Sequence, residues 1–210
     1  MIQTDVLVIG GGGAGMMAAY EASNPGCKVT LVDKGIPSKE CATLMAKQLA
    51  AAGPWSYPDD TPEKHFQDTL KSGCHINNEE LVQVFVNQAA PMIFALEEMG
   101  MYFHRDDSGK TFLPGGQPPG HSYPRSLFFK EITGKMIIDT LRRCVMKKNV
   151  TLLPDILVTR LLVEDNTVMG AVVWNVARGE IQTIIAKAVV LATGGCGQLY
   201  PITSNPVQAT

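Results

Sequence analysis

The chain has 210 residues, enough to bury a sizeable core, and its net charge of −2 gives no signal for a polyanionic partner. Hydrophobic residues at 45% and charged residues at 18% mark a globular protein rather than a disordered tail. No basic run with interleaved aromatics points to nucleic acid, no apolar stretch approaches the roughly 20 residues that span a bilayer, and the N-terminus enters a strand without the basic n-region of a signal peptide.

Residues 5 to 34 organise the rest. Val6 to Ile9 is a continuous aliphatic run that suits a parallel strand buried on both faces. It runs into Gly10-Gly11-Gly12-Gly13-Ala14-Gly15, which satisfies G-x-G-x-x-G. A helical stretch follows, with Ala14, Met17, Ala18 and Ala22 on one side, and Lys28 to Val32 forms a second strand that ends in Asp33. In this order of elements Gly10 permits the tight turn and Gly12 lets a pyrophosphate approach the backbone. Gly15 lets helix and strand pack closely. The first-turn N–H groups and the helix dipole face the phosphates. Asp33, about 20 residues past the turn, stands where a carboxylate accepts hydrogen bonds from an adenosine ribose.

Beyond a polar turn at Gly35 to Lys39, Cys41 to Ala52 is helix-prone, and Gly53 to Asp60 is a loop. Thr61 caps a helix with Pro62 in its first turn, ending near Ser72-Gly73. Asn77 and Asn78 precede the longest helical stretch, Glu79 to Met99. Its expected apolar stripe is Leu81, Val84, Phe85, Ala89, Met92, Ile93 and Leu96, and Pro91 is expected to kink or split it. Met101 to Leu113 reads as a short hairpin, and Pro114 to Arg125 as a Pro/Gly loop of the kind that carries function on a scaffold. Ile132 to Lys148 is again amphipathic. Val150 to Leu153 is a buried strand. Ile156–Val163, Val168–Val176 and Ile181–Ala186 form an antiparallel meander, turning at Glu164-Asp165-Asn166 and Arg178-Gly179-Glu180. A further apolar strand, Ala188 to Ala192, stops at Thr193-Gly194-Gly195-Cys196-Gly197. No linker long enough to mark a domain boundary is apparent.

The five cysteines, Cys27, Cys41, Cys74, Cys144 and Cys196, form no C-x-x-C. That fits a reduced cytosol and argues against metal ligation and against a disulfide-reductase flavoenzyme. The four histidines, His65, His75, His104 and His121, have no ligand spacing and read as surface or satisfied residues. His121 and Arg125 are the pair whose loop could approach a ligand, though a structural role is the stronger expectation.

Val189 to Tyr200 (V-V-L-A-T-G-G-C-G-Q-L-Y), followed by T-S-N-P-V-Q-A-T, resembles the flavoprotein subunit of succinate dehydrogenase and fumarate reductase, a superfamily that includes L-aspartate oxidase and the adenylylsulfate reductase α subunit. The similarity extends through Asp68 to Gly73, Ala95 to Gly100, Gly115 to Gln117 and Thr133-Gly134. It covers nearly the whole chain and corresponds to the N-terminal part of the family. The resemblance implies an α/β, Rossmann-like FAD/NAD(P)-binding domain over residues 1–210: a central parallel sheet, helices on both faces and a three-stranded antiparallel meander. The family's capping domain and C-terminal FAD segment are expected outside these residues.

It further implies elongated FAD. Gly10, Gly12, Gly13, Ala14 and Gly15 would hold the pyrophosphate, and Asp33 the adenosine ribose with Lys34 beside it. Main chain near Val158 would meet the adenine. Ala192, Thr193, Gly194 and Gly195 would approach the cofactor again, and Thr43 and Gln48 would run along the isoalloxazine. Ala42-Thr43 stands where covalent members carry a flavin-linking histidine, so non-covalent FAD is implied. Lys47-Gln48-Leu49-Ala50 replaces the A-Q-G-G of most members, and Lys135 follows Thr133-Gly134 where the family has histidine. The implied activity is two-electron oxidoreduction through flavin N5. The implied partners are a small-molecule substrate of the dicarboxylate class and an iron–sulfur electron-transfer subunit. The implied location is the cytoplasm or the cytoplasmic face of a membrane. The alternatives are an aspartate-oxidase-like or adenylylsulfate-reductase-like protein, and a non-catalytic FAD-binding fragment that needs a partner.

Overall fold

The computed structural model describes every residue except Pro25, Lys110 and Thr111. The described residues form two compact units. One comprises Met1–Met45 with Ile137–Thr210, and the other Ala46–Met136.

The first unit is built on a six-stranded sheet. Its strands are β1 (Ile2–Ile9), β2 (Val29–Val32), β5 (Val150–Leu153), β6 (Ile156–Glu164), β7 (Thr167–Asn175) and β8 (Glu180–Leu191), in the spatial order β5-β2-β1-β8-β7-β6. The half from β5 to β8 is parallel, and β7 and β6 continue it antiparallel. All four residues of β2 and the Leu7-Val8-Ile9 end of β1 are buried, as the unbroken aliphatic runs require. Helix α1 (Gly13–Ser23) makes the crossover between β1 and β2. The core joins Leu7, Ile9 and Val32 to Ile156, Ala171, Val173, Ile184 and Ala186, so both halves of the sheet share it.

The two meander turns fall within two residues of the expected places, with Glu164 closing β6 and Glu180 opening β8. Asp165 and Asn166 have φ of 45° and 59°, the paired left-handed conformation that matches the twist of a two-residue hairpin. One expectation changes. Ala188 to Ala192 is not a separate strand, because β8 runs without interruption from Glu180 to Leu191. Its first half pairs antiparallel with β7, Gly170 opposite Ile185. From Ile184 onward it pairs parallel with β1, Ile9 opposite Leu191.

In the second unit, Thr61 Oγ1 accepts from Lys64 N at 3.3 Å and caps helix α2 (Pro62–Ser72), with Pro62 at its start. Asn78 Oδ1 accepts from Leu81 N at 3.0 Å and caps α3 (Glu79–Glu98). Pro91 does not split α3, whose buried residues Val82, Val86, Ile93 and Leu96 lie on both sides of it. The expected stripe holds at Ile93 and Leu96 and is out of phase in the first half of the helix. Leu81, Val84, Phe85 and Met92 are exposed, while Val82 and Val86 pack with Leu70 and Phe66 of α2. α3 is apolar around much of its circumference, so contact with α2, not periodicity, selects the buried side.

The helix expected over Cys41 to Ala52 is absent. Ala42–Met45 is a single 3₁₀ turn, and β3 (Leu49–Ala50) pairs antiparallel with β4 (Ser126–Leu127). Ala51 N–H then donates to Arg125 O at 3.1 Å, and Ala51 and Ala52 are buried, a tertiary pairing that overrides local helix propensity. The hairpin of residues 101–113 reduces to one bridge, Arg105 to Phe112, and a Leu113 N–H to His104 O bond of 2.9 Å; its positions 110 and 111 lie outside the described residues. Trp55, Phe94, Phe103 and Phe112 form an aromatic cluster nearby, with edge-on contacts of 5.1 Å between Trp55 and Phe112 and 5.6 Å between Phe103 and Phe112. Helix α4 spans Thr133–Val145. Among the described residues, no helix is long and apolar enough to cross a membrane.

Candidate functional site

The two glycine signatures meet at the carboxyl ends of β1 and β8. Gly10 has φ +107°, donates its N–H to Val32 O at 2.8 Å, and leaves no room for a side chain: a Cβ there would stand 2.3 Å from Ala192 O. Ala192 N–H donates to Ile9 O at 2.8 Å. Gly15 packs α1 onto the turn so closely that a Cβ would lie 1.8 Å from Gly10 O. These are the tight-turn and close-packing roles the sequence assigns to the first and last glycines of the motif.

Gly12 is the residue before the first helical position, extended at φ −77° and ψ −171°, with no side-chain cap and no acidic residue in the first turn of α1. That end of the helix therefore presents backbone N–H groups and positive dipole with no carboxylate of its own turn to neutralise them. One N–H is taken: Gly13 N–H donates to Thr43 Oγ1 at 3.1 Å. A Cβ on Gly12 would meet only Cys41 Cβ at 3.4 Å and Thr43 Oγ1 at 4.0 Å, so its outer face is open. Gly194 and Gly195 are more open still, with nothing within 4 Å of a built Cβ.

Asp33 is clamped by backbone. Gly11 N–H donates to Oδ2 at 2.5 Å, and Gly35 N–H donates to Oδ1 at 2.8 Å. Each oxygen keeps lone-pair capacity for a further donor. Asp33 thereby ties the glycine turn to the end of β2, and Ser38 N–H, donating to Gly11 O at 2.9 Å, ties the following segment to the same turn.

Around these groups lies a cleft of about 440 Å³. Its walls are the Gly10–Ala14 turn, Asp33 and Lys34, Glu40 to Thr43, Ile156 to Val158, Leu191 to Gly195, and Gln208 to Thr210. Burial pushes the Cys41 thiol above its usual range, which disfavours the thiolate.

The structure thus brings together Gly10, Gly12, Gly13, Ala14, Asp33, Lys34, Thr43, Val158, Ala192, Thr193, Gly194 and Gly195 around one cleft. Gly15 supports the turn from beneath. Gln48 belongs to the second unit, exposed just before β3, and is not among the cleft-lining residues. Sequence reasoning missed Ile9, Gly11, Val32, Glu40 to Ala42, Ile156, Leu157, Leu191 and Gln208 to Thr210. Gly11 is a variable position of the motif, and the residues at 208–210 are signalled only by the T-S-N-P-V-Q-A-T tail of the resemblance.

A second polar cluster lies in the second unit. Arg125 is fully buried, with its fork on Asp60 and Nη1 on Asp68 Oδ2 at 2.9 Å. Ser122 donates its N–H and hydroxyl to Asp68 at 2.7 and 2.6 Å. Arg125 Nη1 also donates to His121 Nδ1 at 3.2 Å, which fixes that nitrogen as an acceptor. The His121 ring lies 5.5 Å from that of His65. Burial, then Arg125 and His121, push His65 down to about 4; burial and Arg125 also lower His121. The Pro/Gly loop is therefore pinned to α2, and the side chains of His121 and Arg125 are committed to structure.

The cleft can be tested for fit to a dinucleotide on its own atoms. The open faces of Gly12, Gly194 and Gly195, the uncapped helix start and the clamped carboxylate of Asp33 provide room, dipole and acceptor in the order diphosphate, then ribose. Comparison with known proteins agrees. The FAD binding domain family matches residues 5–210. One of the subunits of the fumarate reductase (CoM/CoB) of Methanothermobacter marburgensis is 36% identical over 209 residues, covering 99% of this chain and 38% of its own. L-aspartate oxidase of Vibrio cholerae is 36% identical over 214 residues, covering 97% and 39%. In the Mycobacterium smegmatis Sdh1 complex in the apo form, one chain superposes with a TM-score of 0.89 at 31% identity, covering 99% of this chain and 37% of its own. The chain thus spans less than two fifths of the length of these relatives. With the family matched over nearly every residue and the turn, acid and cleft in the positions its chemistry needs, the chain belongs to the FAD-binding domain family, in the fumarate reductase and succinate dehydrogenase flavoprotein superfamily of oxidoreductases, and its cofactor is FAD.

Proposed function

We propose that residues 1–210 act as one FAD-binding domain, with both compact units as its parts, and that the cleft holds FAD elongated and non-covalently. The diphosphate lies over the Gly10–Gly15 turn, where Gly12 and Ala14 N–H groups receive it. The adenosine ribose hydroxyls donate to Asp33, with Lys34 beside them, and the adenine meets main chain near Val158. Ala192, Thr193, Gly194 and Gly195 line the second approach. Thr43, and by resemblance Gln48, flank the isoalloxazine. The observation that carries this reading is the closure of both glycine turns on each other at Gly10 and Ala192, beside a clamped Asp33.

When bound, FAD supplies two-electron chemistry, with hydride passing through N5. We infer that the parent activity is oxidoreduction of a small dicarboxylate, with electrons exchanged through an iron–sulfur partner protein, in the cytoplasm or held at its membrane face by partners. An aspartate-oxidase-like activity is the nearest enzymatic alternative, supported by the 36% identity to that enzyme. A non-catalytic FAD-binding piece that works with a partner is the other reading, in keeping with the commitment of Arg125 to two carboxylates. The test is titration of purified protein with FAD and with NAD, and chromatography of any extracted cofactor. FAD in the extract, or saturable FAD quenching without NAD binding, supports the reading; NAD in the extract with no FAD affinity overturns it.

A further inference from the structure

One wall of the cleft has neither helix nor strand to hold it. Gln208, Ala209 and Thr210 line the cavity on the side of Asp33 and Lys34, yet they belong to a segment of turns that begins beyond the 3₁₀ turn Gly197–Leu199. Its position needs a separate physical cause.

That cause is concentrated in Gln198. Its backbone N–H donates to Ala209 O at 2.8 Å, and its side-chain Nε2 donates to Asn205 O at 2.6 Å. One residue thus grips the segment at two points four residues apart. Between them the segment braces itself. Asn205 N–H and Nδ2 both donate to Thr203 Oγ1, at 3.1 and 3.0 Å, and Ala209 N–H donates to Pro206 O at 2.9 Å. The partner face of Gly197 is bare because Asn205 occupies it; a Cβ there would stand 2.4 Å from Asn205 Cγ. At the far end, Lys34 Nζ donates to Thr210 O at 3.3 Å and also contacts Thr210 Oγ1. Ala209 is buried as a result, and the wall closes against the residue that follows Asp33.

We propose that Gln198 is a positioning residue for the adenosine half of FAD. Through Asn205 and Ala209 it holds residues 205–210 as the wall facing Asp33, and Lys34 latches the end of that wall to the end of β2. Gln198 does not itself line the cleft, so its effect on the cofactor is transmitted. Lys34 in turn acts on the wall through Thr210, and not as a free charge on the phosphates.

The proposal rests on placing the adenosine beside Asp33, and the experiment separates the two. Gln198→Ala and Gln198→Glu are compared with the unaltered chain by titration with FAD, ADP and riboflavin, with the melting temperature of the cofactor-free protein measured alongside. Both variants keep the backbone N–H that bonds Ala209 O and lose the side-chain donor, and the glutamate also sets an acceptor-only carboxylate against Asn205 O. Loss of one such hydrogen bond corresponds to roughly three- to tenfold in affinity. The expected result is a loss of that size for FAD and an equal loss for ADP, with riboflavin affinity unchanged and the melting temperature of Gln198→Ala lowered by no more than about 4 °C. Lys34→Met gives the same pattern. Equal ADP affinity in the variants and the unaltered chain overturns the proposal while leaving the cofactor assignment standing. Failure of the unaltered chain to bind ADP while it binds FAD overturns the adenosine placement, and the proposal with it.

Discussion

Arg125 and Asp60 bury a complete ion pair: Nη2 lies 2.6 Å from Oδ1 and Nε 3.1 Å from Oδ2, and neither side chain has exposed surface. The fork satisfies both carboxylate oxygens at once, a geometry that an ammonium cannot reproduce. Asp60→Asn, which strands a buried guanidinium beside Asp68 alone, should cost about 3–5 kcal/mol. Arg125→Lys should lose a comparable part of it. Buried Trp55, in the same unit, reports the transition; a urea midpoint within experimental error of the original for both variants would show that the pair contributes nothing.

Acid should loosen the same region. Both His65 and His121 are held below their ordinary range in the folded chain, so the unfolded chain takes up their protons first. Stability is therefore complete above about pH 6.5, the ordinary value for histidine, and falls as the pH drops towards about 4, where His65 itself becomes protonated. Desolvation of Asp68 is outweighed by Ser122 and Arg125, so its carboxyl is lowered and adds a separate loss at still lower pH. Urea midpoints measured from pH 7 to pH 4.5 should slope downward, and His65→Phe should flatten that slope. An unchanged slope in the variant would assign the acid sensitivity elsewhere.

The two glycines at the cleft should separate folding from binding. Gly12→Ala meets only ordinary contacts and an unstrained backbone, so the protein should fold at a cost of about 1 kcal/mol or less from the poorer helix start. Its methyl would enter the space over the helix start and should reduce FAD affinity by at least tenfold; Gly12→Val should abolish it. Gly15→Ala instead drives a Cβ into Gly10 O and should fail as a fold. Circular dichroism with FAD titration distinguishes the two outcomes, and a folded, FAD-competent Gly12→Val would contradict the placement of the diphosphate.

The flavin should be removable without breaking a covalent bond. Ala42 and Thr43 carry no imidazole, and Thr43 Oγ1 is engaged by Gly13 N–H. Acid precipitation of FAD-loaded protein should leave a yellow supernatant and a colourless pellet. Flavin fluorescence that travels with the denatured polypeptide on a gel would refute this.

Turnover by these residues alone should be absent. Arg125 is consumed by Asp60 and Asp68, and His121 is an acceptor for Arg125, so neither is available to fix a substrate carboxylate or deliver a proton. A dye-linked assay on FAD-loaded protein with fumarate, succinate and L-aspartate should give no saturable rate; rates near the ordinary roughly 1–10³ per second would place the catalytic groups inside this chain.

Local chemistry made part of this molecule legible. The Val6–Ile9 run, the glycine turn and Asp33 are consecutive elements whose geometry follows from residue type, and Asp165-Asn166 likewise dictates its own turn. Thr61 and Asn78 announce their helices as caps. What stayed hidden depends on distant partners. Leu49 and Ala50 become a strand because Ser126 and Leu127 lie opposite them, and α3 buries Val82 in preference to Leu81 because α2 is there. Residues 208–210 are held at the cleft by contacts with Gln198 and Lys34, distant in sequence from the glycine turn. The fully apolar pattern of residues 188–191 hid the continuity of β8, since a strand changing from one antiparallel neighbour to one parallel neighbour changes its burial midway.

The pairing of Ile9 with Leu191 sets a timetable. The first glycine turn leaves the ribosome well before its walls at Ala192 and beyond. Synthesis at roughly 5–20 residues per second separates the two by on the order of ten seconds or more. Through that interval β1 lacks its neighbour β8, and the diphosphate turn lacks the backbone that closes it. Closure of the glycine turn therefore waits until the residues that follow β8 have been made.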